Sequence, residues 1–260
     1  MNNIIRTFLF KRQKKRIDFI VCGAQKCGTS ALDTYLREHP EICLAKTKEV
    51  HFFDREPFFK TGNGDYSKYH EHFAPELANL IVGEVTPSYL YWHEAPKRMW
   101  DYNPDLKLIV LLRNPIERAF SHWNMERIRN NETLPFGEAI RQENERRRQA
   151  LPYQHKIFSY VDRGYYLEQL RRLWMFFPKN NILILRSNDL EKNTHDTIKL
   201  VCQFLGVNSI DLVNVRKINS NRYNTSLDYK DKEYLLKAYE YDIKALERAL
   251  GWDCSDWLSV

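Results

Sequence analysis

The sequence contains no apolar run close to the roughly 20 residues that a membrane-spanning helix needs. It is also poor in cysteine, with five residues in 260 and no CxxC pair among them. A disulfide framework and a zinc knuckle are therefore both disfavoured, and reduced thiols in a cytoplasm are the simpler expectation. Since no internal repeat, low-complexity segment or obvious linker interrupts the chain, we expect one domain over residues 17–260.

The first 16 residues, MNNIIRTFLFKRQKKR, lack the features of a secretory signal. Their basic cluster follows the short apolar patch instead of preceding it, and no small-residue cleavage site is present. We predict a solvated basic arm over residues 1–16, with weak contact to a membrane surface as the alternative.

Neither sign of charge dominates the chain. Forty Lys and Arg against 34 Asp and Glu leave a formal net charge of +6, and the charges are well mixed after the arm. This balance indicates a mild bias toward anionic ligands and does not require a nucleic-acid partner. A hydrophobic content of 43% is that of an ordinary globular protein.

Short apolar runs alternate with helical patterns along the chain. The apolar runs predict buried strands at 19–21, 41–44, 80–85, 107–112 and 182–185. Helices are predicted from about residue 31 and at about 93–101, 115–129, 137–150, 164–177, 194–205 and 231–250. This alternation predicts an α/β fold, with a central parallel sheet flanked by helices.

The loop after the first strand, GAQKCGTS, has the glycine spacing of a phosphate-binding loop but a displaced lysine. Gly23 and Gly28 hold the spacing, whereas Thr29 stands where the template has lysine. A strand, loop and helix in this order direct backbone N–H groups toward an anion. An ordinary tight turn is the alternative, but Lys26 inside the loop and the hydroxyl of Ser30 favour anion binding.

The strongest strand signal, KLIVLL, does not end in the acid that helps many NTPases hold magnesium. It ends in Arg113, and no paired-carboxylate cluster follows. Arg118 and Ser121 lie three residues apart, on one face of the next helix, and would add donors for a second phosphate. A buried arginine paired with a carboxylate is the alternative. Two anion sites on one sheet predict a ligand with two phosphate-like ends and a transfer reaction without metal.

These two motifs, GAQKCGTSAL and RNPIERAFS, together resemble those of the sulfotransferases that use 3′-phosphoadenosine 5′-phosphosulfate (PAPS). The heparan-sulfate and bacterial carbohydrate types are the most similar. The resemblance covers residues 17–258 and includes KEVHFFD, GEVTPSYLY, DRGYYLEQL and FLGV in the family order. It implies a single P-loop-like domain, PAPS as donor, adenosine 3′,5′-bisphosphate (PAP) as product, and no metal.

The resemblance also implies which residues bind the donor. The 5′-phosphosulfate would lie against Gln25, Lys26, Cys27, Gly28, Thr29 and Ser30. Arg113 and Ser121 would bind the 3′-phosphate, with Arg163 near it. Lys217 and Arg222 lie where the family closes a basic loop over the nucleotide.

Three residues are candidates for the chemistry itself. Lys26 at the bridging oxygen would stabilise charge on the leaving phosphate, and a sulfuryl group carries less charge than a phosphoryl group, so a divalent ion is less needed. In related carbohydrate enzymes the Glu of a KEVHFF segment is the base, which here is Glu49. We expect residues 48–53 to be mixed and extended, and His51 then faces the same way as Glu49, so it is the rival base. Glu84 as base and a purely structural Glu49 are the other possibilities.

One position departs from the family pattern. The carbohydrate enzymes commonly have lysine between Glu and Thr in GExTPxY, where this chain has Val85. The missing charge is either absent or supplied by another residue, such as Lys48, although a solvated Lys48 fits equally well.

The acceptor is not defined by the motifs. A capsular or lipid-linked saccharide is the expectation, with a small alcohol or phenol next. The segment 54–75 either supplies aromatic rings that stack on a sugar or is a packed surface loop; its rings belong to Phe58, Phe59, Tyr66, Tyr69 and His70. Without a membrane anchor, the protein is expected to be bacterial and cytoplasmic.

Two other function classes fit parts of the sequence. A P-loop kinase of a small metabolite would need magnesium and fits Lys26 and Arg113 poorly. A non-enzymatic polyanion- or RNA-binding module would use the basic arm and the scattered aromatic residues, and its binding would weaken steeply with salt.

Overall fold

The structure is a computed structural model that describes residues 16–60, 62, 64–74, 80–210 and 226–259. Five strands of this part form one sheet: β1 (Phe19–Gly23), β2 (Ile42–Leu44), β3 (Ile81–Val85), β4 (Lys107–Leu112) and β5 (Ile182–Arg186). Their order is β2-β3-β1-β4-β5, and all neighbouring pairs are parallel. The predicted α/β fold with a central parallel sheet and a P-loop-like architecture is confirmed.

Ten helices are described around the sheet. They are α1 (Thr29–Arg37), α2 (Tyr66–His70), α3 (Ala95–Tyr102), α4 (Pro115–Ile128), α5 (Phe136–Arg141), α6 (Glu143–Arg148), α7 (Tyr166–Phe176), α8 (Ser187–Lys192), α9 (Thr194–Leu205) and α10 (Tyr229–Leu250). Short 3₁₀ turns occur at Glu56–Phe59, Asp162–Gly164, Lys179–Asn181 and Ser255–Trp257.

The central strands are apolar along their whole length because both faces of the sheet are covered. Every residue of β1 is buried, and in β4 only Lys107 is partly exposed. A strand covered on both faces reads as a continuous apolar run, which is why β1 and β4 are the clearest signals in the sequence. The ammonium group of Lys107 donates to the carbonyls of Phe204 and Leu205 at 2.7 and 3.2 Å, at the negative end of α9.

Local signals set several helix ends where they were predicted. The side chain of Asn114 accepts from the backbone N–H of Ile116 at 2.9 Å, and Pro115 is the first residue of α4. Helix α9 ends at Gly206, whose φ of 82° is the left-handed conformation that glycine adopts without steric cost.

Two predictions about elements are wrong. The single helix predicted over 137–150 is two short helices, α5 and α6. The break turns Glu143 inward, where its carboxylate accepts from the backbone N–H groups of Val161 and Asp162 at 2.6 and 2.8 Å. The segment 48–53 is not extended, because Glu49 and His51 have φ angles of 63° and 55°.

In a parallel sheet all strands end at the same edge, so the loops that follow β1, β3, β4 and β5 meet there. We call this the carboxyl edge. It is where ligands of open α/β sheets bind.

Candidate active site

The loops after β1 and β4 are held side by side at the carboxyl edge. Strand β1 pairs with β4, with Gly23 opposite Val110, and the backbone N–H of Ala24 donates to the carbonyl of Leu111 at 2.8 Å. The structure therefore brings the glycine loop and Arg113 together, as the parallel order of the strands predicts.

The glycine loop enters α1 through left-handed backbone. Lys26 has a φ of 71° and Gly28 a φ of 90°. Helix α1 begins at Thr29, and its N-cap residue, Gly28, has no side chain with which to cap the first turn. The N–H groups at the positive end of a nine-residue helix thus face the loop, and this arrangement suits an anion.

Positive side chains gather around Lys26. Its pKa is lowered, first by burial and then by the charges of Arg129, Arg113 and Arg118, with Glu126 opposing them. We call Lys26, Arg113, Arg118 and Arg129 the cation cluster. A concentration of positive charge that depresses the pKa of one of its own members is a favourable place for a multiply charged anion.

Arg113 precedes α4, and Ser121 lies on its second turn. The guanidinium of Arg113 is partly exposed and pairs with Glu117, with Nη2 at 2.7 Å from Oε2. Ser121 is buried on the inner face of the helix.

Arg118 is fully buried, and it donates to the carbonyl of Tyr160 rather than pairing with a carboxylate. Its Nε and Nη1, together with Nη1 of Arg163, are buried and make no hydrogen bond within the described part of the chain. His122 is also buried between these arginines, so its pKa lies well below the usual range and the ring is neutral. Buried N–H donors without acceptors are typical of a site that binds an anion.

Arg163 is buried on the 3₁₀ turn before α7. Its Nε donates to Ser159 Oγ at 2.9 Å and its Nη2 to the carbonyl of Lys156 at 3.0 Å, while the guanidinium lies 4.3 Å from the ring centre of Tyr91. Of the predicted donor-binding residues, Lys217 and Arg222 lie outside the described residues. Gln25 lies within the glycine loop, and its Oε1 is buried without a hydrogen-bond partner in the described chain.

A second cluster follows β2, and we call it the carboxylate–histidine cluster. Lys48 Nζ lies 2.5 Å from Glu49 Oε1, and Glu49 Oε2 lies 3.4 Å from His51 Nε2. The other ring nitrogen, Nδ1, lies 2.7 Å from Asp54 Oδ2, which also accepts from Ser88 Oγ at 2.5 Å. Charges thus alternate along the cluster.

The alternation shifts the pKa values in opposite directions. The hydrogen bond to His51, helped by Lys48, lowers the pKa of Glu49 to about 2. The hydrogen bonds to Asp54 and Glu49 raise the pKa of His51 to about 9. At neutral pH Glu49 is therefore a carboxylate and His51 an imidazolium, which has no lone pair with which to accept a proton.

The three residues predicted to carry the chemistry share an unusual backbone. Among the described residues, four that are not glycine have positive φ: Lys26, Glu49, His51 and Asn130. Asparagine tolerates this conformation, whereas the other three do so only under the constraint of their surroundings. Such strain concentrates at functional sites, so its coincidence with Lys26, Glu49 and His51 supports a shared site.

Glu84, the other candidate base, is closed off from any acceptor. It is fully buried on β3, and its carboxyl group accepts from Tyr69 Oη and Thr86 Oγ1 at 2.6 Å each. Burial raises its pKa to about 7. The next residue, Val85, contributes only its carbonyl, which accepts from the N–H of Glu49 at 2.9 Å. The ammonium group of Lys48, 2.5 Å from Glu49 Oε1, supplies positive charge next to Glu49.

The aromatic residues of 54–75 pack inward instead of lining an open site. Phe58 stacks on Phe52 with ring centres 5.1 Å apart, Tyr69 is fully buried, and His70 Nε2 lies 2.9 Å from Tyr102 Oη. The packed-loop alternative is the one observed.

Sequence reasoning missed three residues of the site. Asp54 and Ser88 complete the carboxylate–histidine cluster, and Asp54 carried a usable signal because it lies three residues after His51 in KEVHFFD. The third is Tyr166, whose hydroxyl donates to the carbonyl of Arg113 at 2.9 Å. Nothing local distinguishes it from a packing tyrosine.

The described residues contain neither a membrane-spanning helix nor a cluster of metal-ligating side chains. Across this part of the chain, no helix is both long and apolar enough to span a membrane. In the same residues, no group of three or more His, Cys, Asp or Glu side chains could hold a metal ion.

Comparison with known proteins identifies the family. The Sulfotransferase domain family matches residues 16–245, and the chain belongs to this family of enzymes that transfer sulfuryl groups. The crystal structure of a sulfotransferase from Alicyclobacillus acidocaldarius superimposes with a TM-score of 0.82 at 29% identity, covering 94% of this chain and all of that one (100%).

Curated relatives agree with the resemblance to the heparan-sulfate type. Human heparan sulfate glucosamine 3-O-sulfotransferase 6 is 31% identical over 191 residues, which are 74% of this chain and 52% of the relative. The membrane-associated sulfotransferase kil1 of Dictyostelium discoideum is 24% identical over an alignment of 311 positions, gaps included, that covers 91% of this chain and 65% of the relative. The chain thus spans between half and two thirds of the length of these relatives.

Proposed function

We propose that the protein transfers the sulfuryl group of PAPS to a hydroxyl of a carbohydrate acceptor without a metal ion. The observation that carries the proposal is the cation cluster, in which the glycine loop and the end of β4 present positive charge to one space. A donor with phosphate groups at both its 5′ and 3′ positions needs two such sites a fixed distance apart.

The donor side fits PAPS in its chemistry. The uncapped first turn of α1 with Lys26, Thr29 and Ser30 supplies donors for the 5′ end. Arg113, Ser121 and the buried donors of Arg118 and Arg163 supply the 3′ end. Guanidinium groups bind phosphate through paired N–H donors, which makes arginine effective at the 3′ position.

Lys26 is the residue suited to assist bond breaking. PAPS supplies the sulfuryl group, and its departure leaves additional negative charge on the 5′-phosphate. The ammonium group of Lys26, held over the loop by left-handed backbone, stabilises that charge where it develops. The surrounding arginines strengthen the same field and replace the divalent ion that a phosphoryl transfer requires.

Glu49 is the residue suited to receive the acceptor proton. It stays ionised because His51 and Lys48 flank it, whereas His51 is already protonated at neutral pH. A carboxylate of low pKa is a weak base, so the proton leaves only as the new O–S bond forms and the hydroxyl becomes acidic. His51 and Asp54 then hold the carboxylate in place.

The acceptor class is inferred from the relatives. The human relative is by name a sulfotransferase of a glucosamine in heparan sulfate, and the shared region covers 74% of this chain. A saccharide, free or lipid-linked, is therefore the proposed acceptor. We place the reaction in the cytoplasm, because all five cysteines are free thiols.

Calorimetry on the full chain tests the donor assignment. In buffer with EDTA, PAP should bind the wild type tightly, and ATP with magnesium should bind more weakly. Arg113→Ala should weaken PAP binding by about tenfold or more, since a charged hydrogen bond is lost. Lys97→Ala, which removes an exposed cation paired with Asp101 on α3, is the matched control and should not change it. Preference for ATP with magnesium would instead indicate a kinase, and binding of neither nucleotide would refute both.

A further inference from the structure

A single hydroxyl group connects the two halves of the donor site. Tyr166 Oη donates to the backbone carbonyl of Arg113 at 2.9 Å, and Cys27 Sγ lies 3.8 Å from the same oxygen. Cys27 belongs to the glycine loop and Arg113 ends β4. Tyr166 therefore touches the loop proposed to hold the 5′ end and the residue proposed to hold the 3′ end.

The direction of the two hydrogen bonds is fixed by chemistry. A carbonyl can only accept, so the one proton of the Tyr166 hydroxyl is used on Arg113. Toward Oη the thiol of Cys27 can then act only as a donor, with the carbonyl of Gln25 at 3.9 Å as its other acceptor, and burial raises the pKa of Cys27 and keeps the thiol protonated. The result is a directed chain from the glycine loop, through the tyrosine, to the end of β4.

Tyr166 is itself held rigidly. It is 1% exposed, and it is the first residue of α7. Asp242 on α10 accepts from its backbone N–H at 2.9 Å, which caps α7 from another helix. The edge of the ring packs against Trp257, with ring centres 6.3 Å apart. Because its backbone and ring are held in this way, the Tyr166 hydroxyl can fix the distance between the two groups that it contacts.

We propose that Tyr166 is a positioning residue that sets the distance between the 5′ and 3′ anion sites. The proposal rests on the proposed function, since it concerns a donor that spans both sites. A ligand with two phosphates gains from the second one only if the two sites are already at the right distance. A ligand with one phosphate does not depend on that distance.

The test compares the affinity of two nucleotides for wild type and Tyr166→Phe. Calorimetry in EDTA gives Kd for PAP and for adenosine 5′-monophosphate, and their ratio measures what the second phosphate contributes. We expect Tyr166→Phe to raise Kd for PAP by about three- to tenfold, the range for losing one neutral hydrogen bond. Kd for the monophosphate should stay within about twofold, so the ratio of Kd for the monophosphate to Kd for PAP falls.

Tyr102→Phe is the matched control. Tyr102 is also buried, but its hydroxyl accepts from the backbone N–H of Ile17, at the opposite edge of the sheet. This variant should leave the ratio unchanged. A general loosening of the fold by Tyr166→Phe would instead raise both Kd values equally, and that outcome, or an unchanged ratio, would overturn the proposal.

Cys27→Ala provides an independent check that leaves the tyrosine in place. It removes the contact on the loop side only, so the ratio should fall in the same direction. A ratio equal to that of the wild type would contradict the role of the connection. If the wild type itself gains nothing from the second phosphate, the proposed function is refuted, and the inference with it.

Discussion

At the residue scale, the carboxylate–histidine cluster assigns different tasks to two residues that the sequence could not separate. Glu49 and His51 lie in contact, yet their pKa values move apart, to about 2 and about 9. The ring of His51 uses one nitrogen on Glu49 and the other on Asp54. Because both ring nitrogens of His51 are engaged in this way, the ring can orient Glu49 and Asp54 but has no free nitrogen with which to accept a proton.

Glu49→Gln is the variant that isolates proton transfer. It keeps the shape of the side chain but removes the charge, so kcat should fall by about 10²- to 10⁴-fold, the usual contribution of a general base. Kd for PAP should change by less than about twofold, because the cation cluster is untouched. Initial rates with labelled PAPS and a saccharide acceptor, together with calorimetry, give both quantities.

Glu145→Gln is the control, since Glu145 is an exposed carboxylate that pairs only with Arg148 within the described chain. It should retain full activity. Retained activity in Glu49→Gln, combined with its loss in His51→Gln, would reverse the two assignments.

The convergence of the glycine loop and Arg113 could be predicted from the sequence, whereas the contacts of Asp54 and Tyr166 could not. Gly23, Lys26 and Arg113 follow strands that had to be neighbours in a parallel sheet, so their convergence was a consequence of topology. Asp54 and Tyr166 act through contacts made by folding, and Tyr166 is 53 positions from its partner Arg113. Sequence spacing holds no information about such a contact.

At the scale of elements, the 3₁₀ turn Asp162–Gly164 is held between several others. Glu143 on α6 accepts from its first backbone N–H groups, and Tyr239 on α10 donates to the carbonyl of Val161 at 2.8 Å. There is no room for a side chain at position 164 beside α10, since a Cβ there would lie 2.6 Å from Tyr239 Cζ. This turn contains Arg163 and therefore sets the position of its side chain.

Gly164→Ala should therefore both destabilise the protein and weaken donor binding. The added methyl group displaces the turn or the ring, at a cost of about 1–3 kcal/mol in the free energy of unfolding. Arg163 moves with the turn, so Kd for PAP should rise. Urea unfolding and calorimetry measure the two effects.

Gly137→Ala on α5 is the matched control. The nearest atoms that its Cβ would meet are the ends of two side chains, Asp231 Oδ1 at 2.5 Å and Arg141 Nη1 at 2.7 Å, which can move. Alanine also favours a helix over glycine. Equal losses of stability and of PAP affinity in Gly164→Ala and Gly137→Ala would contradict the role given to the close packing of Gly164 against Tyr239.

The strands were predictable because burial on both faces leaves a local signal, an unbroken apolar run. The separation of α5 from α6 was not, because it depends on Glu143 reaching Val161 and Asp162. The left-handed backbone of Glu49 was missed for a similar reason, since its N–H is fixed by Val85 of another strand.

At the scale of the whole molecule, a buried carboxyl group makes stability depend on pH. Glu84 has no cation beside it among its hydrogen-bond partners, and burial raises its pKa from 4.5 to about 7. The folded state thus binds this proton more tightly than the unfolded state. The stabilisation is complete below about pH 4.5 and is lost as the pH rises through about 7.

The difference in unfolding free energy between Glu84→Gln and wild type should therefore shift in favour of the variant between pH 4.5 and 7.5. The full shift is on the order of 3 kcal/mol, from a pKa change of this size. Urea unfolding at several pH values measures it, and the other titrating groups cancel in the difference. A difference that is flat across this range would mean that Glu84 is ionised throughout.

The position of β1 has a consequence for how the protein is made. Among the described strands it is the first to leave the ribosome, yet it lies between β3 and β4, which are synthesised much later. Until those segments emerge, an apolar strand waits with both hydrogen-bonding edges open. A nascent chain in this state is prone to pair with other chains. Production of the enzyme should accordingly depend on chaperones that shield its N-terminal third during translation.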